Sequence, residues 1–323
     1  MERHWQRLGT FLGDHMVVVI PACLVLGVAF PEVLGRLRPA VPTLFMIMTL
    51  QNSLGNSLGG LKAAVRQPQA LFLTLAMVHV AVPLVSFACA GLLFGFRSQT
   101  VVGVVLEYVV PIGSSTVMWA SMCQGDVLLM LATLLVSTVI VPLTIPASLQ
   151  VLVGATVEVD SLGLMRDMAY MVAMPAVAGT FINERTHGRA AREIMPRLSP
   201  LSRILLPIIV CANSTGIARQ LRHLTPRLVG IAAFIGIFAV AGYALGIALA
   251  RLTRRPYEQL VVMTFGCGVR NISAGAVLAS TYFSAEALFP AVIGTLFQQT
   301  LAAAFAHALA RIKGETKTEG SIS

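Results

Sequence analysis

The chain has 323 residues, 56% of them hydrophobic and 11% charged, with a mean hydropathy of +0.82. Soluble domains carry about 25% charged residues, so this composition excludes a water-soluble domain and implies a polytopic membrane protein. The formal net charge of +9 is then expected in loops at one membrane face, and no nucleic-acid partner is expected.

A span needs about 20 mostly apolar residues. Ten candidates follow in order, at 14–33, 40–60, 69–94, 99–123, 126–150, 164–184, 202–220, 227–250, 258–281 and 285–311. Met1 to His15 is basic and polar, and no small-residue cleavage site follows the first apolar run, so no cleaved signal peptide is expected. With ten spans, the basic clusters fall on one side of the membrane: Arg3 and Arg7; Lys62 and Arg66; Arg185, Arg189, Arg192 and Arg197; Arg251, Arg254 and Arg255; Arg311, Lys313 and Lys317. That side is cytoplasmic and holds both termini. Arg36 and Arg38, then Arg219, Arg222 and Arg227, dissent. The implied location is the cell (inner) membrane.

The two halves are alike. Asn56-Ser57 ends span two and Pro68 opens span three; Asn213-Ser214 lies late in span seven and Pro226 opens span eight. Span four and span nine each carry a polar, helix-breaking stretch, Val109 to Thr116 and Gly266 to Gly275. Asp126 and Glu286 then begin the apolar helices that follow. Five spans per repeat put the halves in opposite orientations, the inverted-repeat design of secondary transporters. The expected organisation is a first repeat over 1–155, a second over 156–313, and a disordered cytoplasmic tail over 314–323. The fold class is all-α.

The breaks carry the chemistry. Proline removes a backbone donor and clustered glycines loosen a helix. In hydrocarbon such a break survives only where it is buried in protein or lines a cavity. Ser114, Ser115 and Thr116 in the first break, with Arg270 and Asn271 in the second, are the candidate substrate-binding residues. An arginine at a helix centre costs about 2.5–3.5 kcal/mol on the insertion scale, so Arg270 needs either an anion or an acidic partner. Glu107 is the obvious partner, and a coupling role for it stays open. His79 is either a helix-to-helix hydrogen bonder or a proton relay. Asn52, Asn56 and Asn213 either face the cavity or join helices, and at most one of Gln298 and Gln299 lines it. The cysteines Cys23, Cys89, Cys123, Cys211 and Cys267 stand singly, so no disulfide, metal site or cofactor is expected.

These features resemble the bile acid:sodium symporter family. The resemblance rests on Pro111 followed fourteen residues on by Gly125-Asp126, on the Gly268-x-x-Asn271 turn, and on Gly294-Thr295-Leu296-Phe297. It implies ten helices divided into a panel (spans 1, 2, 6 and 7) and a core (spans 3–5 and 8–10). Broken helices four and nine cross in the core, beside an organic-anion substrate. It also implies two sodium sites near the crossing, and here the chain departs. The sodium-coordinating positions fall on Thr116 and Val117, Met130, Leu134, Val78, Gly266 and Arg270. Nearly all of them lack an oxygen ligand, which hard cations require. The expectation is a monomeric, sodium-independent carrier of a small carboxylate, with the Arg270 guanidinium in place of a bound cation.

Other readings are a sodium-coupled symporter using backbone ligands, a non-transporting ligand sensor, and an intramembrane hydrolase built on Ser114 or Ser115 with His79. The hydrolase lacks a GxSxG context. The arsenite-efflux family shares the general architecture and a tryptophan ahead of a Gly-Asp pair (Trp119, Gly125-Asp126), but its cysteine would fall on Ile112, removing the soft ligand.

Overall fold

In the computed structural model of the chain, the described residues are 2–59, 67–157 and 160–319. Lys62 and Arg66, used above for orientation, lie outside them. The regular elements among them are helices: α1 (Glu2–Asp14), α2 (Met16–Ala29), α3 (Pro31–Ser53), α4 (Pro68–Phe94), α5 (Gln99–Val109), α6 (Ser115–Met122) and α7 (Val127–Val153). The second half adds α8 (161–185), α9 (Ala190–Arg222), α10 (Pro226–Leu252), α11 (Tyr257–Gly268), α12 (Ile272–Tyr282) and α13 (Ala285–Glu319). Helices satisfy their backbone groups within one segment, which hydrocarbon demands.

Local chemistry sets the helix starts. Pro68 and Pro226 occupy the first turns of α4 and α10, where the missing N–H costs nothing. Asp126 caps α7 by accepting the Leu129 N–H at 2.9 Å, and the Ser98 hydroxyl caps α5 by accepting the Val101 N–H. Glu286, in the first turn of α13, accepts from Thr100 on α5 at 2.8 Å and from Arg227 on α10 at 3.0 Å. Three helices are thereby tied at one end.

Five helices (α3, α4, α7, α9 and α10) are long and apolar enough to cross a membrane unaided. The α1–α2 pair, bent by 89°, and α13, bent by 42°, raise the number to seven. Spans four and nine, read from the sequence as carrying helix-breaking stretches, are each divided into two helices. Helices α5 and α12 have 11 residues each, about 16 Å at 1.5 Å per residue, roughly half of a hydrocarbon core. The protein is therefore an all-helical, multi-pass membrane protein. A count of ten depends on taking α5–α6 and α11–α12 as one crossing each and α8 as a further one.

The tail also differs from expectation. Helix α13 runs to Glu319, through residues read from the sequence as disordered. Extending a formed helix adds a hydrogen bond per residue without a new nucleation step, and Glu315, Lys317 and Glu319 are good helix formers. Residues 320–323 lie outside the described ones.

Two large apolar clusters hold the helices together, and a small third one, Ile20, Cys23 and Val210, joins α2 to α9. The larger joins Phe45 of α3, Val102 and Leu106 of α5, Ile145 and Leu149 of α7, Ile235 of α10 and Val277 of α12. The other wraps the first break, gathering Val78, Ile112, Met130, Leu134, Tyr243 and Phe265. Close approach of α5 to α13 depends on Gly103, where a Cβ would overlap the Ala287 carbonyl. At Gly230 a Cβ would meet nothing within 4 Å. Gly103→Val is expected to lower the thermal midpoint in detergent, at a cost of about 1–3 kcal/mol for overpacking. Gly230→Ala is expected to be neutral or to stabilise, by up to about 1 kcal/mol. Parallel thermal melts of the two variants check both.

Candidate functional site

The site begins with two interrupted helices. Val110, preceding Pro111, is extended at the end of α5, as a residue before proline prefers to be. Val269 is extended after Gly268 at the end of α11. The two gaps lie antiparallel and pair with each other. The Gly113 N–H donates to the Val269 carbonyl at 3.1 Å, and the Asn271 N–H donates to the Pro111 carbonyl at 2.8 Å. Ile112 and Arg270 form the bridge between them. Backbone groups released by each break are thus satisfied by the other, and side chains complete the set. The Ile112 N–H donates to Ser137 Oγ at 3.1 Å, and the Thr116 hydroxyl donates to the Gly113 carbonyl at 2.8 Å.

Arg270 projects from this crossing with 2% of its surface exposed. Its Nη1 donates to the Val78 carbonyl at 3.1 Å, and the reason lies in α4. A π-type turn at Met77–Ala81 sends the Val82 N–H to the Met77 carbonyl, and residue 83 is a proline without an N–H. The Val78 carbonyl is left without a helical donor, so Arg270 supplies one. The remaining guanidinium nitrogens Nε and Nη2 are buried with no protein partner.

A cavity of about 210 Å³ opens beside the crossing, between α2, α3 and α9 on one side and the breaks, α12 and α13 on the other. Ser114, Ser115, Arg270 and Asn271 line it, as do Asn52 and Gln298. Among the described residues no carboxylate does, whereas two arginines do, Arg203 and Arg270. A second chamber of about 60 Å³ shares Asn52, Ser114 and Asn271 with the first and adds Asn56 and Thr138. Asn213 borders a much smaller cavity that has Ser273 and Thr295 in common with the main one.

Other predicted residues lie elsewhere. Thr116 is fully buried and its hydroxyl is engaged by Gly113, so it lines neither chamber. His79 also lies off both chambers: its Nε2 is 2.9 Å from Ser137 Oγ, the same hydroxyl that receives the Ile112 N–H. It braces the break from α4. Glu107 is buried behind the crossing in a small gap shared with Arg270 and Gln298. The side chain of Gln299 lies outside the described ones.

The sequence reading passed over Arg203, Ser273 and Thr295. Arg203 sits at the edge of an expected span, where a basic residue looks like a cytoplasmic anchor. In the structure its Nη1 donates to the Gly9 carbonyl at 2.9 Å, fastening α1 to α9, while the side chain borders the cavity. Ser273 and Thr295 lie within the two motifs named above, and the i, i+3 spacing of Thr295 and Gln298, which puts them on one helix face, was the available signal for Thr295.

Among the described residues no three His, Cys, Asp or Glu side chains converge as a metal site would require. Val78, Met130 and Leu134 are buried in a single apolar cluster. Gly266 is buried beside it, where an added Cβ would press on Thr74 at 2.7 Å.

Comparison with known proteins agrees with this architecture. Residues 41–224 match the Sodium Bile acid symporter family. The Bacillus subtilis protein YbaS is 36% identical over 92% of this chain and 97% of its own length. The sodium-dependent transporter YocS of the same bacterium is 22% identical, over 89% and 88%. The rabbit (Oryctolagus cuniculus) ileal sodium/bile acid cotransporter is 24% identical, over 75% and 70%. With more than half of the chain matched and YbaS alike from end to end, the chain belongs to the sodium bile acid symporter family.

Proposed function

We propose that this protein is a secondary transporter of a small organic anion of the carboxylate class, working by alternating access without sodium. The observation that carries the reading is Arg270: a buried guanidinium with two unpartnered nitrogens, on the wall of a cavity that contains a second arginine and no carboxylate. A guanidinium receives a carboxylate through paired, charge-assisted hydrogen bonds. Asn271, Ser114 and Ser115 add neutral donors beside it. A cavity of about 210 Å³ lies below the usual range of roughly 300–1,000 Å³ for drug-sized ligands, which favours a small anion.

The sodium-independent part rests on side-chain chemistry. At Val78, Met130, Leu134 and Gly266, where the family resemblance locates oxygen ligands, the chain offers hydrocarbon or no side chain. Sodium coupling is the property stated in the names of YocS and the ileal cotransporter, and this chain departs from it in our reading. Ten spans in two inverted repeats complete the proposal. Both halves run from a long helix opened by proline (α4, α10) to a divided pair (α5–α6, α11–α12) and then a long helix begun by an acidic residue (α7, α13). The antiparallel pairing of the breaks supports opposite orientation of the halves. Insertion in the inner membrane as a monomer is part of the same proposal, and the cytoplasmic placement of both termini follows the distribution of arginine and lysine.

Uptake of pyruvate, succinate and taurocholate into proteoliposomes tests the reading. Transport of a small carboxylate is expected, with the same initial rate whether or not a sodium gradient is imposed. Strong stimulation by sodium overturns sodium independence, and binding without flux would make the protein a sensor. Arg270→Gln is expected to weaken anion affinity by about 10- to 100-fold, the equivalent of the 1.5–3 kcal/mol of a hydrogen bond to a charged group. Unchanged affinity in that variant refutes the receptor role of Arg270.

A further inference from the structure

Glu107 has no part in the binding cavity, yet the fold makes a place for it. It sits on α5 with 2% of its surface exposed, and its Oε2 has no hydrogen-bond partner. No Lys, Arg or His nitrogen of the described residues comes within 4.0 Å of the carboxylate. Its other oxygen lies against Gly294 of α13, where any Cβ would overlap Oε1. The notch left by that glycine is the space the carboxyl group occupies.

The gap around Glu107 measures about 10 Å³, near the size of a single water molecule. Arg270, Ile272 and Gln298 border both this gap and the main cavity. Gln298 also carries a buried Oε1 without a partner. The other titratable groups that border the gap are Tyr108 on the same helix, Tyr243 from α10 and Cys267 from α11; Tyr243 donates its hydroxyl to the Gln298 carbonyl at 3.3 Å. Among the described residues no second carboxylate, lysine or histidine borders it.

Charge balance gives this arrangement a function. With Glu107 ionised and the cavity empty of substrate, the enclosed charges are one cation, Arg270, and one anion, and they cancel; Arg203 is partly exposed at the cavity edge and donates to the Gly9 carbonyl, so it stands outside this balance. A bound carboxylate adds a second negative charge in a medium where uncompensated charge is costly. A proton on Glu107 restores neutrality and leaves Arg270 to the substrate. We propose that Glu107 is the proton carrier of this transporter, so that one proton moves in the same direction as each carboxylate anion. The proposal rests on the anion-transport reading above. In the step itself, a proton from the medium on the entry side adds to a Glu107 oxygen by way of the Gln298–Arg270 boundary. It leaves on the exit side with the substrate, and no other bond changes.

The test uses the full chain in vesicles loaded with a pH-sensitive dye and supplied with labelled pyruvate and succinate. Protein-free vesicles set the baseline for diffusion of undissociated acid. Acid outside is expected to drive accumulation, with one proton recorded per carboxylate. In Glu107→Gln, which resembles the permanently protonated state, proton-driven accumulation is expected to be lost while carboxylate exchange persists. Wild-type carboxylate flux without proton movement overturns the proposal and leaves the anion reading standing. So does proton-driven accumulation in Glu107→Gln. No carboxylate flux in the wild type removes the anion reading and the proposal with it. If the variant loses exchange as well, infrared difference spectra of the wild type decide. A protonated-carboxyl C=O band that appears on succinate binding supports the proposal, and its absence overturns it.

Discussion

The pairing of the two interrupted segments is the constraint on which the rest depends. A backbone N–H or carbonyl without a partner in hydrocarbon costs several kcal/mol, and each break releases several such groups. The chain solves this by laying one break antiparallel to the other, so that Gly113 donates to Val269 and Asn271 to Pro111. Ser137 and Thr116 take the groups that this exchange leaves over. Once that is arranged, Ser114, Asn271 and Arg270 must lie together, because they flank the paired residues. The binding chemistry is a consequence of how the backbone is satisfied.

Arg270 is held by a defect in another helix. Pro83 and the π-type turn before it release the Val78 carbonyl, and that carbonyl takes one arm of the guanidinium. The arrangement fixes the group without exhausting its donors. A direct ion pair with Glu107 would hold it more tightly, and would also occupy the nitrogens an anion needs. Separation beyond hydrogen-bonding distance keeps the charges mutually compensating at long range, where the interaction is still appreciable in a medium of low dielectric constant. Compensation and availability are thereby combined in one residue.

How much of this could be read from the chain follows from the range of each interaction. Proline and glycine act on their own helix, so both breaks and their candidate residues Ser114, Ser115, Arg270 and Asn271 were visible as sequence. Helix caps at Asp126, Thr225 and Ser98 are equally local. The place of His79 was not visible, because it depends on Ser137, 58 residues away on α7. Arg203 was missed for the same reason: its partner is the carbonyl of Gly9, 194 residues distant. Thr116 shows the converse case. Its hydroxyl stands beside a break, as a substrate ligand would, and donates to the nearest freed carbonyl, that of Gly113.

In the proposed reading a fixed cation replaces a mobile one, and that changes what the site can do energetically. A sodium ion that accompanies an anion brings the free energy of its own gradient, whereas a guanidinium attached to the chain attracts the anion and contributes nothing to net movement. Tight binding on both sides of the membrane speeds exchange without favouring either direction, since only a difference between the two states shifts an equilibrium. Any accumulation by such a carrier therefore has to draw on a second species that crosses with the substrate. Among the described groups bordering the gap behind Arg270, Glu107 is the carboxylate, and the proposal gives it the proton because its Oε2 has no hydrogen-bond partner to lose. The same separation that leaves the Arg270 donors free for a carboxylate leaves Glu107 free for a proton.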